Sequence, residues 1–299
     1  MRYIALLLSL AVCLAGCGQK RADREEKAVN AILKLGGIVT RDEELPGRPV
    51  GVIDLSYVKI REVRDSDLKD LKEIRGLQSL NLHRTSITDA GLKELKELKD
   101  LQRLYLTDTP ITDAGLKELK DLQALRELWL AGTRITDAGL TELKALKGLR
   151  ELFLAGTRIT DAGLKDLKDL RGLQCLDLSA TRITDAGLKH LKGLNGLQKL
   201  YLRATPVTNA GLKHLKELKG LQDLDLRETQ ITDAGLKELK QLQGLQRLDL
   251  ALTQITDAGV KDLKELKGLW TLRVGGTQIT EAGLRELKDA LPETVIVGP

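Results

Sequence analysis

Four of the chain's seven aromatic residues, Tyr105, Trp129, Phe153 and Tyr201, stand apart by multiples of 24 residues. Flat apolar rings at a fixed interval suit contact with another molecule rather than bond breaking. Charged groups accompany them with the same period: Arg103, Glu127 and Glu151 each stand two residues before a ring, and Arg203 two after Tyr201. Asp177, Asp225 and Asp249 occupy the ring position in other copies, and Arg227 follows Asp225 by two. His190 and His214 are also one period apart, but two histidines without a third ligand read as surface residues, not a metal site. Cys175 has no expected base beside it and is not read as a nucleophile. The chain contains no G-x-S-x-G, phosphate loop, H-E-x-x-H or dinucleotide fingerprint. The expected chemistry is noncovalent contact, with no catalytic residue, cofactor or metal.

The period comes from an internal repeat. From Leu77 the pattern L-x-x-L-x-L-x-x-T-x-I-T-D-A-G-L-x-x-L-x-x-L-x-x runs nine times, with starts every 24 residues as far as Leu269. Leu104 and Leu106 alternate, as in a short strand with one buried face, whereas Leu116, Leu119 and Leu122 are spaced by three, as in a short helix or helical turn. Between them Thr112-Asp113 offers oxygens to cap the helix start, and Gly115 allows close backbone packing. The recurrent aspartate, kept in seven copies and replaced by Asn209 and Glu281 in two, reads as a capping device rather than a catalytic acid. One unit cannot bury its own leucines, so units must stack strand beside strand. Side chains between the strand leucines then emerge on one wall, with Tyr105, Trp129 and Phe153 forming a stripe about 10 Å long at a strand spacing of about 4.8 Å. Small neighbours at Thr107, Ala131 and Ala155 are expected to leave the rings accessible.

Over residues 77–292 this consensus resembles a leucine-rich repeat, and its I-T-D-A-G-L-x-x-L tail is similar to the cysteine-containing subclass that includes repeats attached to F-box proteins of ubiquitin ligases. Threonine stands where that subclass has cysteine, from Thr85 to Thr277, and is expected to hydrogen-bond the buried loop backbone. The style resembles exported leucine-rich repeat proteins of planctomycete-type bacteria. The resemblance implies an α/β solenoid, a horseshoe with parallel strands on the concave face and short helices on the convex face. It also brings a ligase substrate-recognition role into view, which the export signal and the lack of an F-box segment disfavour.

The ends of the chain differ from the array. Residues 1–16 read as a signal peptide: a basic start at Arg2, a short apolar run from Ile4 to Leu14, then Leu14-Ala15-Gly16-Cys17, which resembles a bacterial lipobox and implies lipidation of Cys17. Residues 17–27 read as a polar tether and 28–76 as a capping module with an atypical first repeat. Within that region, Arg24 to Leu35 reads as an amphipathic helix, Ile38 to Thr40 and Val50 to Leu55 as strands around the Leu45-Pro46-Gly47-Arg48-Pro49 turn, and Asp65 to Arg75 as a repeat-like helix. Repeats occupy 77–292, where Pro292 stops the last helix, and 293–299 cap the array with a strand at Thr294 to Val297.

Composition sets the remaining bounds. A hydrophobic content of 42% argues against disorder, and a net charge of +5 from 48 basic and 43 acidic residues is too small for a nucleic-acid protein. Three cysteines, one in the signal and one at the anchor, fit an exported chain that avoids disulfides. The expectation is a non-catalytic scaffold for protein–protein interaction, anchored in the bacterial envelope, with a partner bound on the concave face by Arg103, Tyr105, Glu127, Trp129, Glu151, Phe153, Asp177, Tyr201, Arg203, Asp225, Arg227 and Asp249. Carbohydrate or cell-wall binding is the alternative, since rings and carboxylates also suit sugars.

Overall fold

The computed structural model of the protein describes residues 19–44, 48–58 and 63–298. Each unit makes a strand of only three residues, because only that much of the repeat alternates before the loop threonine. The strands are β1 (Ile38–Arg41), β2 (Val50–Asp54), β3 (Ser79–Asn81), β4 (Arg103–Tyr105), β5 (Glu127–Trp129), β6 (Glu151–Phe153), β7 (Cys175–Asp177), β8 (Lys199–Tyr201), β9 (Asp223–Asp225), β10 (Arg247–Asp249), β11 (Thr271–Arg273) and β12 (Val295–Val297). They form one sheet in chain order, with β1 antiparallel to β2 and every later pair parallel. Between β3 and β11 each residue pairs with the one 24 positions on, for example Leu104 with Leu128 and Tyr105 with Trp129. The leucines at the centre of these strands, the loop isoleucines and the helix leucines are almost all fully buried in one continuous core. Full burial of each is worth about 1.5–3 kcal/mol.

The return path in most repeats is one α-helical turn that tightens into a 3-10 turn, as in Asp113–Leu116 followed by Lys117–Leu119. Spacing by three suits this, because side chains of a 3-10 segment eclipse every third residue. The last helix, Glu281–Ala290, is the longest in the array and ends before Pro292. The expected cap elements are present: Asp65–Glu73 is a 3-10 segment, and β12 pairs with β11. The first helix spans residues 19–34, starting before the expected Arg24, so much of the stretch read as a tether is helical. Its residues are good helix formers, yet packing against the core begins only at Ala28 and Val29. Ion pairs from Arg41 to Glu25 and Glu26 tie it to β1. The expected signal segment, Cys17 and the first three residues of the expected turn, Leu45 to Gly47, lie outside the described residues. No described helix is long and apolar enough to cross a membrane.

Two polar ladders run along the array, the first bonding within each unit and the second between units. Buried threonines at Thr85, Thr109 and their equivalents donate Oγ1 to the carbonyl three residues back, as in Thr109 to Leu106 at 2.6 Å. The second ladder differs from the capping expected of the Thr-Asp pair, because the two residues serve different repeats. Thr112 caps its own helix by accepting from the Ala114 N–H, whereas Asp89 reaches forward and accepts from both the backbone N–H and the Oγ1 of Thr112, at 2.9 and 2.6 Å. The same forward bridge runs from Asp65 to Thr88 at the start and from Asp257 to Thr280 at the end. The glycine of T-D-A-G makes room for it: a Cβ on Gly139 would sit 2.5 Å from Asp113 Oδ1 and 2.9 Å from an Ile135 methyl.

Asn209 changes the pattern. Its amide nitrogen donates to Thr232 Oγ1 at 2.8 Å, and Thr232 makes no side-chain cap bond. Replacing Asn209→Asp turns that hydroxyl back into a donor, restores the cap and raises stability by about 0.5–2 kcal/mol, read as a higher midpoint in urea. Gly139→Ala pushes a methyl into the carboxylate bridge and lowers stability by about 1–3 kcal/mol in the same assay.

Candidate functional site

Register alone brings the expected residues to the solvent face of the sheet, in three rows. The central row runs Asp54, Asn81, Tyr105, Trp129, Phe153, Asp177, Tyr201, Asp225, Asp249, Arg273. A local rule governs what stands there. Where the residue is Asp or Asn, its Oδ1 accepts from the backbone N–H two residues on: Asp54 from Ser56, Asn81 from His83, Asp177 from Ser179, Asp225 from Arg227 and Asp249 from Ala251, all at 2.8–3.0 Å. This is an Asx turn closing each strand. A ring cannot accept that bond. Among the described residues, the N–H groups of Thr107, Ala131 and Ala155, which follow the three consecutive rings, have no hydrogen-bond partner.

Those rings form one body. Trp129 and Phe153 stack with centroids 3.6 Å apart and planes 19° from parallel, and Tyr105 meets Trp129 at 5.6 Å with a 38° tilt. Stacking covers them more than the small flanking residues alone suggest: Phe153 is only 9% exposed, while Tyr105 and Trp129 are half-buried. Trp129 Nε1 is the one buried side-chain polar atom without a partner among the described residues. Leaving such a donor unanswered costs about 1–3 kcal/mol. Tyr105 donates its hydroxyl to Glu127 Oε2 at 3.4 Å, and burial, helped by the Glu127 charge, holds the phenol above its ordinary range. The rings floor a shallow cleft of about 290 Å³ edged by Asn81, His83, Thr107, Ala131 and Asp177.

The second half of the face is ionic. Arg227 grips Asp225 through Nε and Nη2, the shorter contact being 2.6 Å, and lies 3.3 Å from Asp249; Arg273 reaches Asp249 at 3.5 Å and Arg247 reaches Asp223 at 3.7 Å. Asp225 and Asp249 are buried, so their charges are used up inside the cluster. Burial raises the Asp223 carboxyl above its usual range because Arg247 stands too far to compensate, and it raises Asp177, which has only the Ser179 bonds to set against it. Tyr201, between Asp177 and Asp225, is pushed up by burial and then by Asp223. A second cleft of about 250 Å³ opens over Tyr201, Asp223, Arg227, Arg247 and Arg273.

The structure thus gathers Tyr105, Trp129, Phe153 and Asp177 around one cleft, and Tyr201, Asp225, Arg227 and Asp249 around another, while Arg103, Glu127 and Glu151 stand in the neighbouring row and line neither. Arg203 sits apart, paired at 2.7 Å with Glu228, which the sequence did not mark. Cys175 is buried between Glu151 and Lys199, and burial first, then Glu151, pushes its thiol up to about 12. The open N–H row was also missed. Its signal was present in the central row, as the alternation between rings and Asx residues. No group of three His, Cys, Asp or Glu side chains among the described residues is placed to hold a metal.

A leucine-rich repeat family model matches residues 98–120, 171–192, 221–240 and 242–264, four separate units of the array. The fold is a leucine-rich repeat solenoid. It is similar to the solved structure of an internalin (inlF) from Listeria monocytogenes, at 25% identity and a TM-score of 0.60 over 78% of this chain and 63% of that one. A second internalin, internalin C2 of the same organism, is similar at 27% identity and a TM-score of 0.52 over 79% of this chain and 84% of that one. The leucine-rich repeat chain therefore spans less than two thirds of the length of the first of these relatives. No curated protein matches it.

The Cys175 thiol gives a direct check on the packing of this face. At pH 8 it stays protonated and covered, so in the chain from residue 17 onward with Cys17→Ser, Ellman's reagent reacts only as fast as the repeats open, and at least about 100-fold faster in urea.

Proposed function

We propose that the leucine-rich repeat array is a protein-interaction scaffold that binds its partner on the solvent face of the sheet, centred on Tyr105, Trp129 and Phe153. One observation carries this reading: among the described residues, the three consecutive backbone N–H groups of Thr107, Ala131 and Ala155 have no acceptors, and they run beside a single aromatic cleft. These N–H groups belong to partly exposed residues, so an incoming molecule with acceptors can satisfy them. The fold of the internalins and the rigid register of the strands support presentation of this surface to another protein. Arg247 and Arg273, both more than half exposed, extend it toward the ionic cleft as a polar rim.

In the same reading the chain is exported and held at the bacterial envelope by a lipid on Cys17. Arg103, Glu127, Glu151, Asp177, Tyr201, Arg203, Asp225, Arg227 and Asp249 then divide into contact residues and the ion-pair frame that holds them. Crosslinking in the native envelope followed by affinity capture tests the proposal. Wild-type chain retains a protein partner, and Tyr105→Ala with Trp129→Ala weakens retention about 30-fold or more, the loss expected for interface anchors. Unchanged retention by this double variant, with its melting temperature still showing a folded array, overturns the assignment of the cleft; retention of glycan in place of protein favours the carbohydrate alternative.

A further inference from the structure

The residue after each loop threonine changes its chemistry along the array, and charge is confined to one stretch. Arg134, Arg158 and Arg182 hold that position in three consecutive units, with Pro110 before them and Pro206 after, and every remaining copy has serine or glutamine there. All three arginines are exposed on the path from strand to helix. Their backbones run in step: the N–H of Arg158 donates to the Ile135 carbonyl at 2.9 Å, and that of Arg182 to Ile159 at 3.4 Å. Neighbours in such a ladder stand about 4.8 Å apart, so three like charges oppose one another. Elsewhere the array answers its arginines: Arg84 has Asp108, Arg203 has Glu228, and Arg126 and Arg150 donate to the carbonyls of Gly148 and Gly172. These three have no ion pair and no side-chain hydrogen bond among the described residues. The carboxylates that follow them by three residues, Asp137, Asp161 and Asp185, are bound instead to Thr160, Thr184 and Thr208 of the next units.

The same loops have lost the acid that pairs with arginine elsewhere. Two positions before the arginine slot, where other units carry Asp108 and Glu228, they have Gly132, Gly156 and Ala180. The left-handed backbone there does not demand glycine, since Asp108, Ala180, Ala204, Glu228 and Leu252 adopt it with φ of 53–58°. The Asp108 carboxylate fills the space over Gly132, but a Cβ on Gly156 would meet only the Gly132 backbone, at 3.8 and 4.0 Å, so the floor is open from there onward. In the first two of these loops the N–H groups of Ala131 and Ala155 have no acceptor among the described residues. An anion lying along the loops thus finds guanidinium forks and open N–H donors together. Trp129 and Phe153 stand on the strands that lead into these loops, so the occupant has an apolar part as well as charge, which a polypeptide supplies and a phosphate polymer does not. We propose that Arg134, Arg158 and Arg182 receive an acidic segment of the protein partner, its aspartate or glutamate side chains on the guanidinium groups and its apolar residues toward the rings. Side chains on one face of an extended segment recur about every 6.6 Å, within swing of arginines set about 4.8 Å apart. The inference rests on the interaction reading above and assigns the charge of the segment bound at this edge.

The test uses the full-length chain at low salt and follows the anisotropy of a fluorescein-labelled hexaglutamate peptide, with labelled hexaglutamine as the neutral comparison. Two variants remove equal charge from exposed residues of three consecutive units: Arg134→Gln, Arg158→Gln, Arg182→Gln on the loops, and Lys165→Gln, Lys189→Gln, Lys213→Gln on the helices. The Kd for hexaglutamate rises about tenfold in the arginine variant and less than about twofold in the lysine variant, and hexaglutamine does not bind. Equal losses in the two variants, no saturable binding of hexaglutamate, or equal binding of hexaglutamine overturns the proposal. So does capture from the envelope of an anionic glycan or lipid, in place of a protein, that is lost in the arginine variant. Thermal melting near the wild-type temperature shows that each variant is folded. If the arginine variant still captures the envelope partner as wild type does while Tyr105→Ala with Trp129→Ala does not, the acidic segment falls and the aromatic surface stands; the reverse result keeps the acidic segment and removes the aromatic cleft.

Discussion

Every residue on the solvent face owes its place to the offset of 24 between neighbouring strands, and that offset is held twice. Buried leucines supply most of the free energy, but a row of similar apolar side chains would tolerate slippage between units. The forward bridge does not. An aspartate at a helix start accepts two bonds from one threonine of the next unit, and the glycine two residues after its own position is occupied from behind by the preceding carboxylate. A displaced strand would lose a charge-assisted pair and drive a carboxylate into side-chain space. Specific geometry here comes from polar groups at the ends of the helices, and cohesion comes from the core.

The same accounting explains why the solvent face has two characters. Each strand is followed by a backbone N–H two residues beyond the central row, and at Asp54, Asn81, Asp177, Asp225 and Asp249 the chain answers it with its own side chain. Four units give up that bond in favour of a ring. For three consecutive units the result is an apolar stripe with open donors; further along, buried aspartates gather arginines and close upon themselves. The N-terminal half of the array leaves donors open on this face, while the C-terminal half is largely self-contained.

Much of this was legible in the sequence because a period of 24 multiplies weak local signals ninefold. The strand at Leu104, the loop threonine at Thr109 and the rows of the solvent face all follow from periodicity and alternation. The Asp89 bridge was not legible in the same way: Thr-Asp at a helix start is also the signature of a local cap, and nothing in the letters says that the acid serves a threonine 23 residues away. The coverage of Phe153 was missed because accessibility was judged from the small residues beside it, and not from the ring stacked 3.6 Å above. Asp225 and Asp249 looked like contact groups since sequence shows charge but not the arginine that folds back over it.

The forward bridge also makes the units interchangeable at their seams. Removing or copying any whole unit between Asp89 and Asp185 rejoins a carboxylate to a threonine of the same kind, with the glycine gap ready to receive it. Array length can therefore grow or shrink by gene duplication without new joints having to be invented. What an insertion or loss between Phe153 and Tyr201 changes is the spacing between the aromatic stripe and the ionic cluster, by one strand interval of about 4.8 Å per unit.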